Sequence, residues 1–216
     1  MQRRAIKTRD RKWAQDIAKF ISKLDISPNF ISVLSVIFAL LSGIMYAYIG
    51  TSYIPQKLFF IAPLFAIIFM QLRLLCNLFD GMVAVEYNKH SVYGDIFNEF
   101  PDRLSDSLIF IGVGIGGHSG LSIILGLLLA LFAMFTAYTR VLGGAIGTKQ
   151  YFIGPMAKQH RMAFLTFTSL FCLFCPEIHI KLFPIVLLIM ILGCIITVIR
   201  RITRIAKELK EKEQGV

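Results

Sequence analysis

The chain has 216 residues, 56% of them hydrophobic, with 19 Phe and a mean hydropathy of +0.69. An ordinary soluble domain has an apolar share near half, so this composition excludes one and points to an integral membrane protein. The net charge of +10 does not imply a nucleic-acid partner, because the basic residues lie mostly in the two tails and in short connections between apolar runs.

The first predicted element covers residues 3–24. Trp13, Ile17, Phe20, Ile21 and Leu24 recur at helical spacing among Arg9, Arg11, Lys12, Lys19 and Lys23, the pattern of an amphipathic helix lying in the membrane surface. Ser27-Pro28-Asn29 reads as an N-cap with proline in the first turn, opening a new helix.

Six apolar runs follow, at about residues 29–49, 58–79, 93–117, 121–145, 162–178 and 182–202. Each is judged against the roughly 20 residues needed to cross hydrocarbon. The first begins too late and runs too long for a signal peptide. Only 104–117 of the third is strongly apolar, so that helix carries acids on a face turned to protein or water. The fifth is short and meets Pro176. Residues 206–216 are charged and read as a frayed helix tip.

With six spans, Arg3, Arg4, Lys7, Lys89, Arg103, Lys149, Lys158, Arg161, Arg200, Arg201 and the basic carboxyl tail share one side, against Lys57 and Lys181 on the other. Both termini are therefore expected in the cytoplasm. The expectation is an all-α integral membrane protein, one domain over 1–216, with six transmembrane helices preceded by the interfacial helix.

Cys76, Cys172, Cys175 and Cys194 lie in or beside apolar runs, so they read as small packing residues. His90, His118, His160 and His179 are scattered over loops, which argues against a histidine metal site. Gly112, Gly114, Gly116 and Gly117 read as close helix packing.

Polar residues concentrate at the junction of the second and third spans. Asn77, Asp80 and Ala84 fall on one face of the second helix, and Asp95, Asn98, Glu99, Asp102 and Asp106 make one stripe on the third. Carboxylates at a bilayer edge are costly and call for a cation. Oxygen ligands on two helices suit Mg²⁺, Mn²⁺ or Ca²⁺, and Gly81 and Gly94 leave bare backbone for a phosphate. Together these suggest a diphosphate substrate. The alternative is a hydrated turn whose acids pair with Lys89 and Arg103, or Asp106 with Arg103.

The order Asn77-x-x-Asp80-Gly81-x-x-Ala84-Val85, eight residues, Gly94-x-x-x-Asn98-x-x-x-Asp102 resembles the CDP-alcohol phosphatidyltransferase signature D-x2-D-G-x2-A-R-x8-G-x3-D-x3-D. Ser27-Pro28-Asn29-Phe30-Ile31-Ser32 is similar to that family's start of the first span. Tyr138-x-Arg140 and Gly154-x-x-x-Lys158-x-x-Arg161 resemble its basic connection between the fourth and fifth spans. The departures are Asn77 and Asn98 for two aspartates, and Val85 for the arginine.

The resemblance implies transfer of a phosphatidyl or other substituted phosphate group from CDP-diacylglycerol or another CDP-alcohol to a hydroxyl acceptor, releasing CMP, in phospholipid biosynthesis. It implies Mg²⁺ or Mn²⁺ held by Asn77, Asp80, Asn98 and Asp102, with Asp102 as catalytic base. Asp80, Gly81, Ala84 and Gly94 would contact the nucleotide side, and two-fold association is expected. Glu86, Asp95, Glu99 and Asp106 are candidates to compensate the lost acids. Arg140, Lys149, Lys158 and Arg161 are candidates for an acceptor or lipid phosphate. The active site is expected on the cytoplasmic face of a bacterial inner membrane or its equivalent. The alternatives are a family member with weakened catalysis that binds nucleotide, lipid or a partner, and a small membrane transporter.

Overall fold

The computed structural model describes residues 7–49, 58–87, 92–175 and 178–214. Arg3, Arg4, Lys57, Lys89, His90 and Pro176, used in the expectations above, lie outside the described residues. A short 3-10 helix, Lys7–Asp10, precedes α1 (Lys12–Lys23), α2 (Pro28–Ile49), α3 (Leu58–Glu86), α4 (Gly94–Gly116), α5 (Gly120–Ala145), α6 (Lys158–Phe174) and α7 (His179–Gln214). The described residues contain no strand. Among them, four helices are long and apolar enough to cross a membrane: α2, α3 over Ile61–Val85, α5 and α7.

Helix ends follow from local chemistry. Asp25 turns the chain after α1 with φ of 55°, and the Ser27 hydroxyl accepts from the Phe30 amide at 3.2 Å, so α2 starts at Pro28 as its N-cap predicts. Ser119 caps α5 in the same way, accepting from the Ser122 amide. The second helix runs past its apolar stretch to Glu86 and so carries Asp80 and Ala84. One expectation needs correcting: the carboxyl segment is no frayed tip but the continuation of α7 to Gln214. Lys–Glu pairs one turn apart, Lys207–Glu211 and Lys212–Glu208, support that extension.

The packing is the reverse of a soluble bundle's. Along α2 the buried face is Ser32, Ser35, Ala39, Ser42, Gly43 and Tyr46, whereas Phe30, Val33, Ile37, Leu40 and Ile44 point outward. Small residues let helices approach while large aliphatics face lipid. At the closest crossing, a Cβ on Gly112 of α4 would stand 2.2 Å from the Gly43 carbonyl oxygen. Gly114 meets Gly126 of α5 in a similar way, and Gly116 meets Tyr46, so these glycines serve close packing. Cys76, Cys172 and Cys194 are buried free thiols and Cys175 is an exposed one.

α1 buries Ala14 and Ala18 in a cluster with Cys76, Phe79, Met82 and Val83 of α3. Its larger residues Trp13, Ile17, Phe20 and Leu24 remain exposed, with Trp13 edge-on to Phe79. The helix therefore sits against the end of α3 that carries the polar motif.

Candidate functional site

Contacts between distant residues show that the start of α2, the end of α3, the start of α4, the end of α5, the start of α6 and the polar part of α7 gather at one end of the bundle. A cleft of about 420 Å³ opens there, lined among others by Asn77 and Gly81 of α3, Asn98, Glu99 and Asp102 of α4, Arg140 of α5 and Lys158 and Arg161 of α6.

Asn77 and Asp102 meet across α3 and α4. The Asn77 amide donates to Asp102 Oδ1 at 2.5 Å, while Lys158 Nζ stands 2.5 Å from Asp102 Oδ2 and Arg73 lies 3.5 Å from Oδ1. The Asp102 side chain is 15% exposed, enough to face the cleft. Asp80 goes elsewhere. It is buried, accepts from the Ser32 hydroxyl of α2 at 2.7 Å and from the Gly81 amide at 2.5 Å, and is not among the residues lining the cleft. Ser32 lies in the stretch that resembles the family's first-span start, and this hydrogen bond ties that stretch to the motif.

Asn98 is exposed at the cleft rim. Asp95 is exposed and, with Ala84 and Gly94, lies outside the cleft lining. The side chain of Glu86 is outside the described residues. Glu99 is held by Arg103 one turn away and by Arg140 of α5 at 2.6 Å. Asp106 is held by Arg73 at 2.6 Å and Arg161 at 2.7 Å. Arg103 therefore pairs with Glu99 one turn back and not with Asp106, whose two oxygens are taken by Arg73 and Arg161. Glu99 and Asp106 have their oxygens engaged by arginines, which leaves them poorly placed to replace lost metal ligands.

Of the four basic candidates, Arg140, Lys158 and Arg161 line the cleft. Lys149 is exposed and outside the lining. Its backbone amide faces Glu208 at 3.2 Å. The loop between α5 and α6 is anchored by several contacts. Arg140 reaches Gln150 at 2.8 Å and lies over the Phe152 ring, Arg201 reaches the Ile153 carbonyl at 3.0 Å, and Tyr151 donates to Glu208 at 2.5 Å. At Gly154, φ is +122° and a Cβ would stand 2.5 Å from Thr197, so only glycine fits this turn. The turn leads directly into α6 and delivers Lys158 and Arg161 to the cleft.

Arg73 and Arg201 are the residues that the sequence reading missed in this role. Arg73 is fully buried inside an apolar run, four residues before Asn77 and so on the same face, which is a legible sign of a charge aimed into the bundle. Arg201 counted only as a tail charge, yet it is buried and donates to the Thr136 carbonyl of α5.

The donor set does not fit a pair of Mg²⁺ or Mn²⁺ ions, the metals that the resemblance implies. Among the described residues no group of three or more His, Cys, Asp or Glu can hold a metal ion. Asp80 and Asp102 are the only carboxylates at the motif positions, and the Asn77 amide turns an N–H, not its oxygen, toward Asp102.

No protein-family model matches the sequence. An uncharacterized protein of Aquifex aeolicus (strain VF5) is 24% identical over 203 residues, covering 92% of this chain and 91% of that protein. Three solved structures of Mycobacterium tuberculosis phosphatidylinositol phosphate synthase (PgsA1) are similar in fold. The form with CDP-DAG bound matches at TM-score 0.68 and 15% identity, over 89% of this chain and 92% of that one. The complex with manganese and citrate matches at 0.68 and 16%, over 89% and 88%. The apo form matches at 0.64 and 17%, over 87% and 93%. The chain thus shares its overall fold with that synthase.

Proposed function

We propose that this single membrane domain transfers a phosphatidyl or other substituted phosphate group from CDP-diacylglycerol or another CDP-alcohol to a hydroxyl acceptor, releasing CMP. The observation that carries this reading is the cleft itself. Four helices bring Asn77, Asn98 and Asp102 together with Arg140, Lys158 and Arg161 at one end of a bundle whose fold is shared with a synthase solved with CDP-DAG bound. In this reading α4 and α6 complete six spans, α1 rests in the interface, and both termini and the cleft face the cytoplasm. The basic residues at the cleft end of the bundle support that orientation.

The acceptor hydroxyl attacks the phosphorus that carries the lipid or alcohol, the bond from that phosphorus to the CMP oxygen breaks, and CMP leaves with the bonding electrons. Asp102 takes the hydroxyl proton, since it is the carboxylate that reaches the cleft from the motif. The basic residues oppose the charge that builds on the departing CMP. Asp80, turned toward Ser32, holds the α2 and α3 ends in register beside the nucleotide side. Mg²⁺ or Mn²⁺ is expected from the resemblance, but the donor set is too short for a pair. A second copy of the chain is a further expectation of the resemblance.

A second reading, binding of a nucleotide or lipid without turnover, is favoured by one observation: Asp102 is already held by Lys158 and Asn77. Transport is not favoured, because the charges collect at one end of the bundle and not at its middle. The test is CMP release from CDP-diacylglycerol by the purified protein in detergent, with a panel of alcohols and alcohol phosphates, each with and without Mg²⁺ or Mn²⁺. Asp102→Asn should abolish turnover and leave CDP-lipid binding in place. Retained turnover in that variant would remove Asp102 as base, and binding with no CMP release from any acceptor would establish the second reading.

A further inference from the structure

Three acids of α4 are each shared by two cations. Glu99 lies between Arg103 and Arg140, Asp102 between Lys158 and Arg73, and Asp106 between Arg73 and Arg161. The cleft lining itself holds six basic residues, Arg9, Arg103, Arg140, Lys158, Arg161 and Arg201, against two acids, Glu99 and Asp102. Such an excess in a partly enclosed space attracts an anion. A metal-dependent diphosphate site has the opposite balance, because its protein ligands are acids and the positive charge arrives with the ion.

We infer that protein cations, led by Lys158, stand where the family's divalent charge would act, so that a CDP-alcohol diphosphate binds here without a metal ion. The inference rests on the reading given under Proposed function and deepens it. Three observations converge on it. The motif has carboxamides at two of its acid positions. The described residues lack a group of three metal-binding acids, histidines or cysteines. The ammonium of Lys158 sits at 2.5 Å on the carboxylate that would otherwise help to hold the ion, with the Arg73 guanidinium at 3.5 Å.

A divalent ion seated on Asp102 would lie beside both of these cations and be repelled by each. A diphosphate entering from the cleft meets the Lys158 side chain, which is 25% exposed, with Arg103 and Arg140 also in the lining. Lysine is a compact point charge with three donors, able to keep one bond to Asp102 while directing another to a phosphate oxygen.

The experiment is binding of CDP-diacylglycerol in mixed micelles to the purified full chain, followed by titration calorimetry in EDTA and again in excess Mg²⁺ and Mn²⁺. Binding in EDTA of undiminished affinity is expected. Lys158→Gln should weaken it about ten-fold or more in either condition, the scale of one charge-assisted hydrogen bond, and Lys158→Arg should restore most of the loss. Binding that requires a divalent ion, or that is unchanged in Lys158→Gln, would overturn the inference and leave the proposed function standing. Absence of binding in every condition would overturn the proposed function, and the inference with it. Because Lys158 is partly exposed at a helix start, its exchange spares the core, and the wild-type comparison needs no variant at all.

Discussion

The guanidinium of Arg73 and the carboxylate of Asp106 meet at 2.6 Å with both side chains out of solvent, although 33 residues separate them. Arg161 takes the other oxygen of Asp106, so one carboxylate serves two arginines from two further helices. Breaking a buried ion pair from one side costs about 3–5 kcal/mol, because the remaining charge is stranded. Asp106→Asn should therefore destabilise the protein by about that much, and by more than Arg73→Met, which leaves Asp106 its bond to Arg161. Thermal unfolding in detergent micelles checks this. Equal losses for the two variants would show that the carboxylate is not shared.

Asn77→Asp would set two carboxylates against each other at the present amide–carboxylate contact with Asp102. At about 4 Å and an effective dielectric near 20, the repulsion is about 4 kcal/mol before the side chains relax. The variant should unfold at a lower temperature than wild type in EDTA and recover with Mg²⁺ or Mn²⁺, while the wild-type midpoint stays indifferent to both ions. A variant that no divalent ion rescues would show that the space between α3 and α4 cannot seat a cation.

Gly112→Ala tests the α2–α4 crossing. The added methyl would meet the Gly43 backbone, which cannot swing aside as a side chain can. Overpacking of this kind costs about 1–3 kcal/mol. Since α4 also carries Asp102, CDP-lipid binding should weaken along with the thermal midpoint. An unshifted midpoint would mean that the helices cross farther apart.

Tyr151 fastens the loop between α5 and α6 to α7 through Glu208. Accepting this hydrogen bond, Glu208 holds the Tyr151 hydroxyl above the ordinary tyrosine range. A value raised in the folded state means that the contact stabilises the loop below the ordinary tyrosine pKa and is lost as pH rises through the raised one. Proteolysis at residues 146–157 should accelerate in alkaline solution for wild type. Tyr151→Phe should be cut faster already at neutral pH and respond less to alkali. Identical pH profiles would sever the link to this tyrosine.

Much of the architecture is legible in the order of residues because it depends on local chemistry. Apolar runs long enough for hydrocarbon and a serine cap before Pro28 each act within a few residues of themselves. The gapped pattern from Asn77 to Asp102 likewise places two polar stripes on adjoining helices, and those stripes do meet at Asn77 and Asp102.

The pairing of charges was decided by the tertiary structure alone. Asp80 turns to Ser32 and away from the cleft, and Arg73 is drawn to Asp106, because the choice depends on which helix lies opposite and how far each is rotated. Helical spacing tells which side chains share a face, but not what that face will touch. An ion pair forms where desolvation is matched by a partner within reach, and most partners of the α4 acids come from other helices, α3, α5 and α6. The sequence by itself therefore determined a helical membrane protein with a polar motif at one end of its bundle, whereas the folded arrangement decided that Asp80 is held by a serine and that Glu99, Asp102 and Asp106 are held by arginine and lysine.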